Sequence, residues 1–137
     1  MIDRIIQLFI RHKQISYALF FLTTLAILLL TLMPPDNLGS HSLFQYDKLG
    51  HFMMFFCWTL IYGILSFARK GSKKTNLIAI FIVASLFGVT IEFLQRVMPY
   101  GRSAGLYDVI ADILGSFSAT ALLKLLKLRL QRYNGNG

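Results

Sequence analysis

Three short sets of polar residues interrupt an otherwise apolar chain. Asp47 and His51 are four residues apart at the start of one apolar stretch. Glu92, Gln95 and Arg96 fall at i, i+3 and i+4 near the end of another, and Asp108 and Asp112 are again four apart at the start of a third. On a helix, spacings of three and four put side chains on one face. Each set is therefore a candidate polar face. A histidine among carboxylates is the material of general acid–base chemistry, with His51 as the proton carrier and Glu92 or Asp112 as its orienting partner. Arg96 and Arg102 are suited to phosphate. The same acids and histidine are also types that a divalent cation accepts, but their separations follow no regular ligand spacing, and no metal or other cofactor is expected on that ground.

The elements that carry these residues follow from composition. Of 137 residues, 55% are apolar and 15% charged, whereas soluble chains are about a quarter charged. A hydrocarbon layer about 30 Å thick needs about 20 mostly apolar residues in helical form, and four such runs are present: residues 15–33, 49–67, 77–98 and 106–123. In lipid the backbone must satisfy its own hydrogen bonds, so the runs should be helices. The expectation is an all-α polytopic membrane protein, an antiparallel bundle of four transmembrane helices forming a single domain over residues 1–137. Pro34 and Pro35 end the first run, since neither can donate the next helical hydrogen bond. That run is too long for a signal-peptide core and is expected to be retained. Ahead of it, Ile2, Ile5, Ile6 and Phe9 repeat at i, i+3, i+4 and i+7. This pattern fits an interfacial amphipathic helix or, equally, the first turns of the first span. Residues 34–48 read as an outer loop, and residues 131–137 as a frayed end.

Eleven of the fourteen Lys/Arg lie at the N-terminus, between the second and third runs, or in the tail, leaving Lys48, Arg96 and Arg102 for the opposite side. The positive-inside rule then places both termini in the cytoplasm. It also explains the net charge of +8 without nucleic acid. With that topology every intramembrane ionisable residue falls near the outer face. His51, Gln95 and Asp108 lie roughly 3–5 Å in, and Glu92 and Asp112 roughly 9 Å in, at 1.5 Å per residue. A carboxylate inside a bilayer costs about 2.5–3.5 kcal/mol even on the lenient insertion scale. The acids should therefore converge on an outward-opening pocket with Arg96 and Arg102 at its mouth. Taken singly, each residue has a structural explanation: Glu92 pairing with Arg96, His51 bonding a loop carbonyl, Asp108 capping its helix.

The ordered set Asp47-Lys48-Leu49-Gly50-His51-Phe52, Glu92-Phe93-Leu94-Gln95, Arg102, and Asp108 through Gly115 resembles VanZ-like membrane proteins. The likeness spans residues 15–122. It implies that Asp47, Lys48, His51, Glu92, Gln95, Arg102, Asp108 and Gly115 fall on the family's characteristic positions. Where that family usually has Asn four residues after the Asp, this chain has Asp112, an added acid. The family is named after a protein associated with teicoplanin resistance, so the resemblance implies a bacterial inner-membrane protein with a link to glycopeptide resistance and no settled biochemical activity.

The remaining residues point to packing. Cys57 is expected as a buried apolar filler. Gly63, Gly88, Gly115, Ser116, Ser118 and Ala119 are expected to let helices approach closely, and Phe44, Tyr46, Tyr100 and Tyr107 to sit at the outer interface. No Walker loop, dinucleotide glycine signature, HExxH or GxSxG occurs. Two functions follow from the polar cluster. The first is binding of a lipid or cell-envelope-precursor headgroup by Asp47, Lys48, His51, Glu92, Gln95, Arg96, Arg102, Asp108 and Asp112. The second is an integral-membrane enzyme acting on such a headgroup, with His51, Glu92 and Asp112 catalytic. Proton-coupled transport is a third class and would require a homo-oligomer, since four helices are few for alternating access. The expected partners are membrane lipids.

Overall fold

A computed structural model describes residues 2–32, 47–98 and 105–135; the side chains of residues 2–5, 47 and 133–135 lie outside that description. The outer loop, Phe44, Tyr46, Tyr100 and Arg102 also lie outside the described residues. Five helices follow in order: α1 Ile2–Arg11, α2 Lys13–Leu32, α3 Asp47–Lys70, α4 Leu77–Val97 and α5 Leu106–Gly135. Helices α2 to α5 are each long and apolar enough to cross a membrane.

Cross-helix contacts fix the directions. Phe20 of α2 packs on Tyr62 and Trp58 of α3, and the Trp58 indole, one turn before Tyr62, donates to Thr24, one turn after Phe20, at 2.8 Å. These two helices therefore run antiparallel. Along α3 and α5 the pairs His51–Asp112 and Thr59–Ser116 advance together, so those helices run parallel, and Phe81–Phe117 with Gly88–Asp112 sets α4 antiparallel to α5. The bundle is up-down-up-down, as four alternating spans require. Helix α3 is the most enclosed span and α2 the least, with 44% and 17% of their apolar windows buried. Large apolar side chains such as Phe21, Ile78, Leu86, Phe93 and Phe117 face outwards, which suits a surface bathed in acyl chains.

Small residues govern the closest crossing. A Cβ on Gly115 would collide with the Phe52 carbonyl and one on Gly63 with the Leu123 side chain, so α3 and α5 meet nearly backbone to backbone. Gly63, Gly88, Gly115, Ser116 and Ala119 are all buried, while Ser118 is half-buried.

The helices decide one open alternative and depart from two sequence-based expectations. Helix α1 is separate from α2: the chain breaks at His12, and the Ser16 hydroxyl donates to the Phe9 carbonyl at 2.9 Å across the break. Helix α5 does not fray at residue 131 but continues to Gly135. Leu123 and Leu130 keep it ordered by burying themselves with Ile6 of α1, Phe67 and Ile80. Cys57 is exposed on the bundle's exterior rather than buried, because α3 turns His51, Phe55, Trp58 and Thr59 inwards and Cys57 falls on the remaining face. At the opposite end from the polar cluster, Gly71 ends α3 with a positive φ of 80°, the backbone conformation glycine adopts without strain. Asn76 then caps α4 by accepting from the amides of Ile78 and Ala79. The Lys127 ammonium donates to the Thr75 carbonyl at 2.8 Å, tying α5 to this turn.

Candidate functional site

The N-terminal turns of α3 and α5 and the C-terminal turns of α4 meet at one end of the bundle, and each contributes a buried polar side chain. His51 of α3 is 3% exposed, Glu92 of α4 5%, and Asp108 and Asp112 of α5 7% and 0%. His51 Nδ1 lies 3.0 Å from Asp112 Oδ1 in a hydrogen bond, and 3.7 Å from Glu92 Oε1. Asp108 and the Gly105 amide complete the electrostatic surroundings of Glu92. One donor atom from each of His51, Glu92 and Asp112 falls within 4.8 Å of the other two. The three helices thus bring together the four residues whose matching depth on separate segments predicted a common site.

Local sequence explains how the cluster forms. Gly88 stands one helical turn before Glu92 and faces Asp112: a Cβ there would lie 3.0 Å from both the Asp112 Cβ and its Oδ2. Glycine at this position lets α4 approach α5 closely enough to enclose the carboxylate. One turn beyond Asp112, Ser116 accepts a hydrogen bond of 3.2 Å from Thr59. A polar seam therefore continues between α3 and α5 beneath the acids. Thr59 was not among the sequence-derived candidates; its signal is the eight-residue interval from His51, two turns down the same face.

The other candidates divide. The Gln95 amide donates to the Thr31 carbonyl at 2.8 Å and clamps the ends of α4 and α2 together. Lys48 and Arg96 are exposed. Among the described residues Glu92 does not pair with Arg96, and neither of its oxygens has a hydrogen-bond partner, nor does Asp108 Oδ1. An in-helix ion pair is therefore not what holds Glu92. Asp108 sits in the first turn of α5, its carboxylate folded back against Gly105, where the positive end of the helix favours a negative charge. Asp47 opens α3, but its side chain and Arg102 lie outside the described residues.

Beside the cluster, a groove of about 250 Å³ runs between α4 and α5. Val89, Phe93, Leu106 and Val109 form apolar walls, and Glu92, Gly105 and Arg96 supply its polar part. The groove thus reaches from the lipid-facing surface of the bundle to one of the buried acids.

Fold and site together define a small multi-pass membrane protein with an acid and histidine cluster recessed at one end of its bundle. The VanZ/LLP1 family profile matches residues 4–127, and the chain belongs to that family. It is also similar to an uncharacterized protein of Schizosaccharomyces pombe, with 34% identity over 96 residues, 64% of this chain and 56% of that protein. The chain therefore spans little more than half the length of that relative. No solved structure matches it.

Proposed function

We propose that this membrane protein binds the phosphate-bearing headgroup of a lipid or lipid-linked envelope precursor at the cluster end of its bundle. The supporting observation is the groove between α4 and α5. Its apolar walls suit an acyl or prenyl chain, the Arg96 guanidinium stands at its polar part, and Glu92 connects it to the buried cluster. An amphipathic ligand needs this combination: an apolar lane open to the bilayer and a charged terminus that recognises a headgroup. With eleven basic residues on the other side, the cluster end faces away from the cytoplasm and both termini lie within it. In a bacterial inner membrane that end would meet the outer leaflet, where retention of a lipid-linked precursor would connect the protein to teicoplanin-type resistance.

The test is retention of anionic phospholipid by purified protein in detergent, measured by native mass spectrometry. Wild-type protein should carry phosphatidylglycerol in preference to phosphatidylcholine, and Arg96→Gln should lose that preference. Equal retention of both lipids by wild-type protein would refute the assignment.

The His51–Asp112 hydrogen bond of 3.0 Å, with Glu92 on the same nitrogen, favours a second function: acid–base catalysis on the bound headgroup. In that case His51→Gln and Glu92→Gln would abolish headgroup turnover and leave lipid retention in place. A pure binder shows no turnover even as wild type.

A further inference from the structure

Three carboxylates and one histidine are enclosed at the cluster end, and hydrogen bonding within the cluster does not account for them all. The His51–Asp112 contact joins one acid to the ring. Both Glu92 oxygens and Asp108 Oδ1 are buried without a well-formed hydrogen bond among the described residues, the Gly105 amide standing near Glu92 but outside hydrogen-bond geometry. The Glu92 side chain is 6% exposed and aimed at His51 Nδ1 from 3.7 Å. Buried carboxylates are ordinarily paired or bound to a cation, and each oxygen enclosed without a partner is costly. The exposed Arg96 does not reach Glu92.

We infer that His51, Glu92 and Asp112 form a binding site for one divalent transition-metal ion of the Mn²⁺ or Zn²⁺ type, with Asp108 behind Glu92 as an outer anionic partner. Donors bound at about 2.0–2.1 Å in a tetrahedral arrangement stand about 3.3–3.4 Å from one another. The separations from His51 Nδ1, 3.0 Å to Asp112 and 3.7 Å to Glu92, bracket that value. All three donors lie within 4.8 Å of one another, so small side-chain rotations bring them onto one ion. One imidazole and two carboxylates suit Mn²⁺ or Zn²⁺ better than Ca²⁺, which takes six to eight oxygens. The irregular spacing along the sequence is no obstacle: ligands drawn from three helices share no local repeat, and it is depth in the bundle that aligns them. Three protein ligands leave coordination positions open. Their use by a phosphate oxygen would rest on the headgroup assignment, whereas the ion site itself does not.

The experiment is Mn²⁺ titration of chelator-stripped, detergent-purified protein, followed by the electron paramagnetic resonance signal of free Mn²⁺. Wild-type protein should bind one Mn²⁺ per chain, release it to Zn²⁺, and unfold at a higher temperature with the ion than without. Glu92→Gln and Asp112→Asn should each weaken binding by about 100-fold or more, since even outer partners of a bound metal contribute 10–100-fold; Asp108→Asn should weaken it about 10-fold and Lys124→Gln not at all. Circular dichroism confirms that each variant retains its helices. Wild-type protein that binds neither Mn²⁺ nor Zn²⁺, or binding that survives both Glu92→Gln and Asp112→Asn, would overturn the site. Mn²⁺ binding without preference for anionic phospholipid would uphold the ion and refute the headgroup assignment alone.

Discussion

At the scale of single residues, the enclosed acids are tolerable only as a set. Asp112 is fully buried, and the partner seen for it in the cluster is His51 at 3.0 Å. Substituting Asp112→Leu removes that acceptor from beside the ring, and should lower stability by about 1–3 kcal/mol. Reversible unfolding by denaturing detergent, followed by circular dichroism, measures the change. A stability gain would show that burying the pair costs more than the contact returns. The individual acids were legible in the sequence because charged residues within apolar runs stand out. Which atoms meet was not legible: helical spacing assigns a residue to a face, but the choice between Glu92 and Asp112 as nearest neighbour of His51 depends on helix rotation. That rotation is set in part by Gly88, whose missing side chain leaves room for Asp112.

At the scale of elements, α3 and α5 cross so closely at Gly115 that any side chain meets the Phe52 backbone. Gly115→Ala should therefore destabilise the bundle by about 1–3 kcal/mol through overpacking, and thermal unfolding in detergent should show it. Stability equal to that of the wild type would mean that the helices stand further apart. Helix α2 is attached more lightly, by the Trp58–Thr24 hydrogen bond of 2.8 Å and aromatic packing. Interhelical hydrogen bonds in membranes average about 0.6 kcal/mol and reach about 1.7, so Thr24→Val should cost within that range by the same measurement. The four spans were legible because runs of about 20 mostly apolar residues have few alternatives. The continuation of α5 to Gly135 was not, since Lys124, Lys127, Arg129 and Arg132 make that stretch look solvated. Its order comes from Leu123 and Leu130 against Ile6 and Phe67, a tertiary contact with the amphipathic α1 that no window within α5 contains.

At the scale of the whole molecule, the alternation of the spans puts every intramembrane acid at one end and most of the positive charge at the other. Under the positive-inside rule such a separation corresponds to the proposed orientation, with the cluster end away from the cytoplasm. A phosphatase reporter fused at the C-terminus, active only outside the cytoplasm, should be silent in growing cells. The acids from separate helices are proposed to share one recess reached from the side opposite the termini. The most direct measurement is labelling of Glu92→Cys, in a Cys57→Ser background, by a membrane-impermeant thiol reagent applied to either face of sealed vesicles. Labelling is expected from the face opposite the C-terminus, and more slowly when anionic phospholipid is enriched. Labelling only from the face bearing the C-terminus, or none until the protein is unfolded, would contradict that placement.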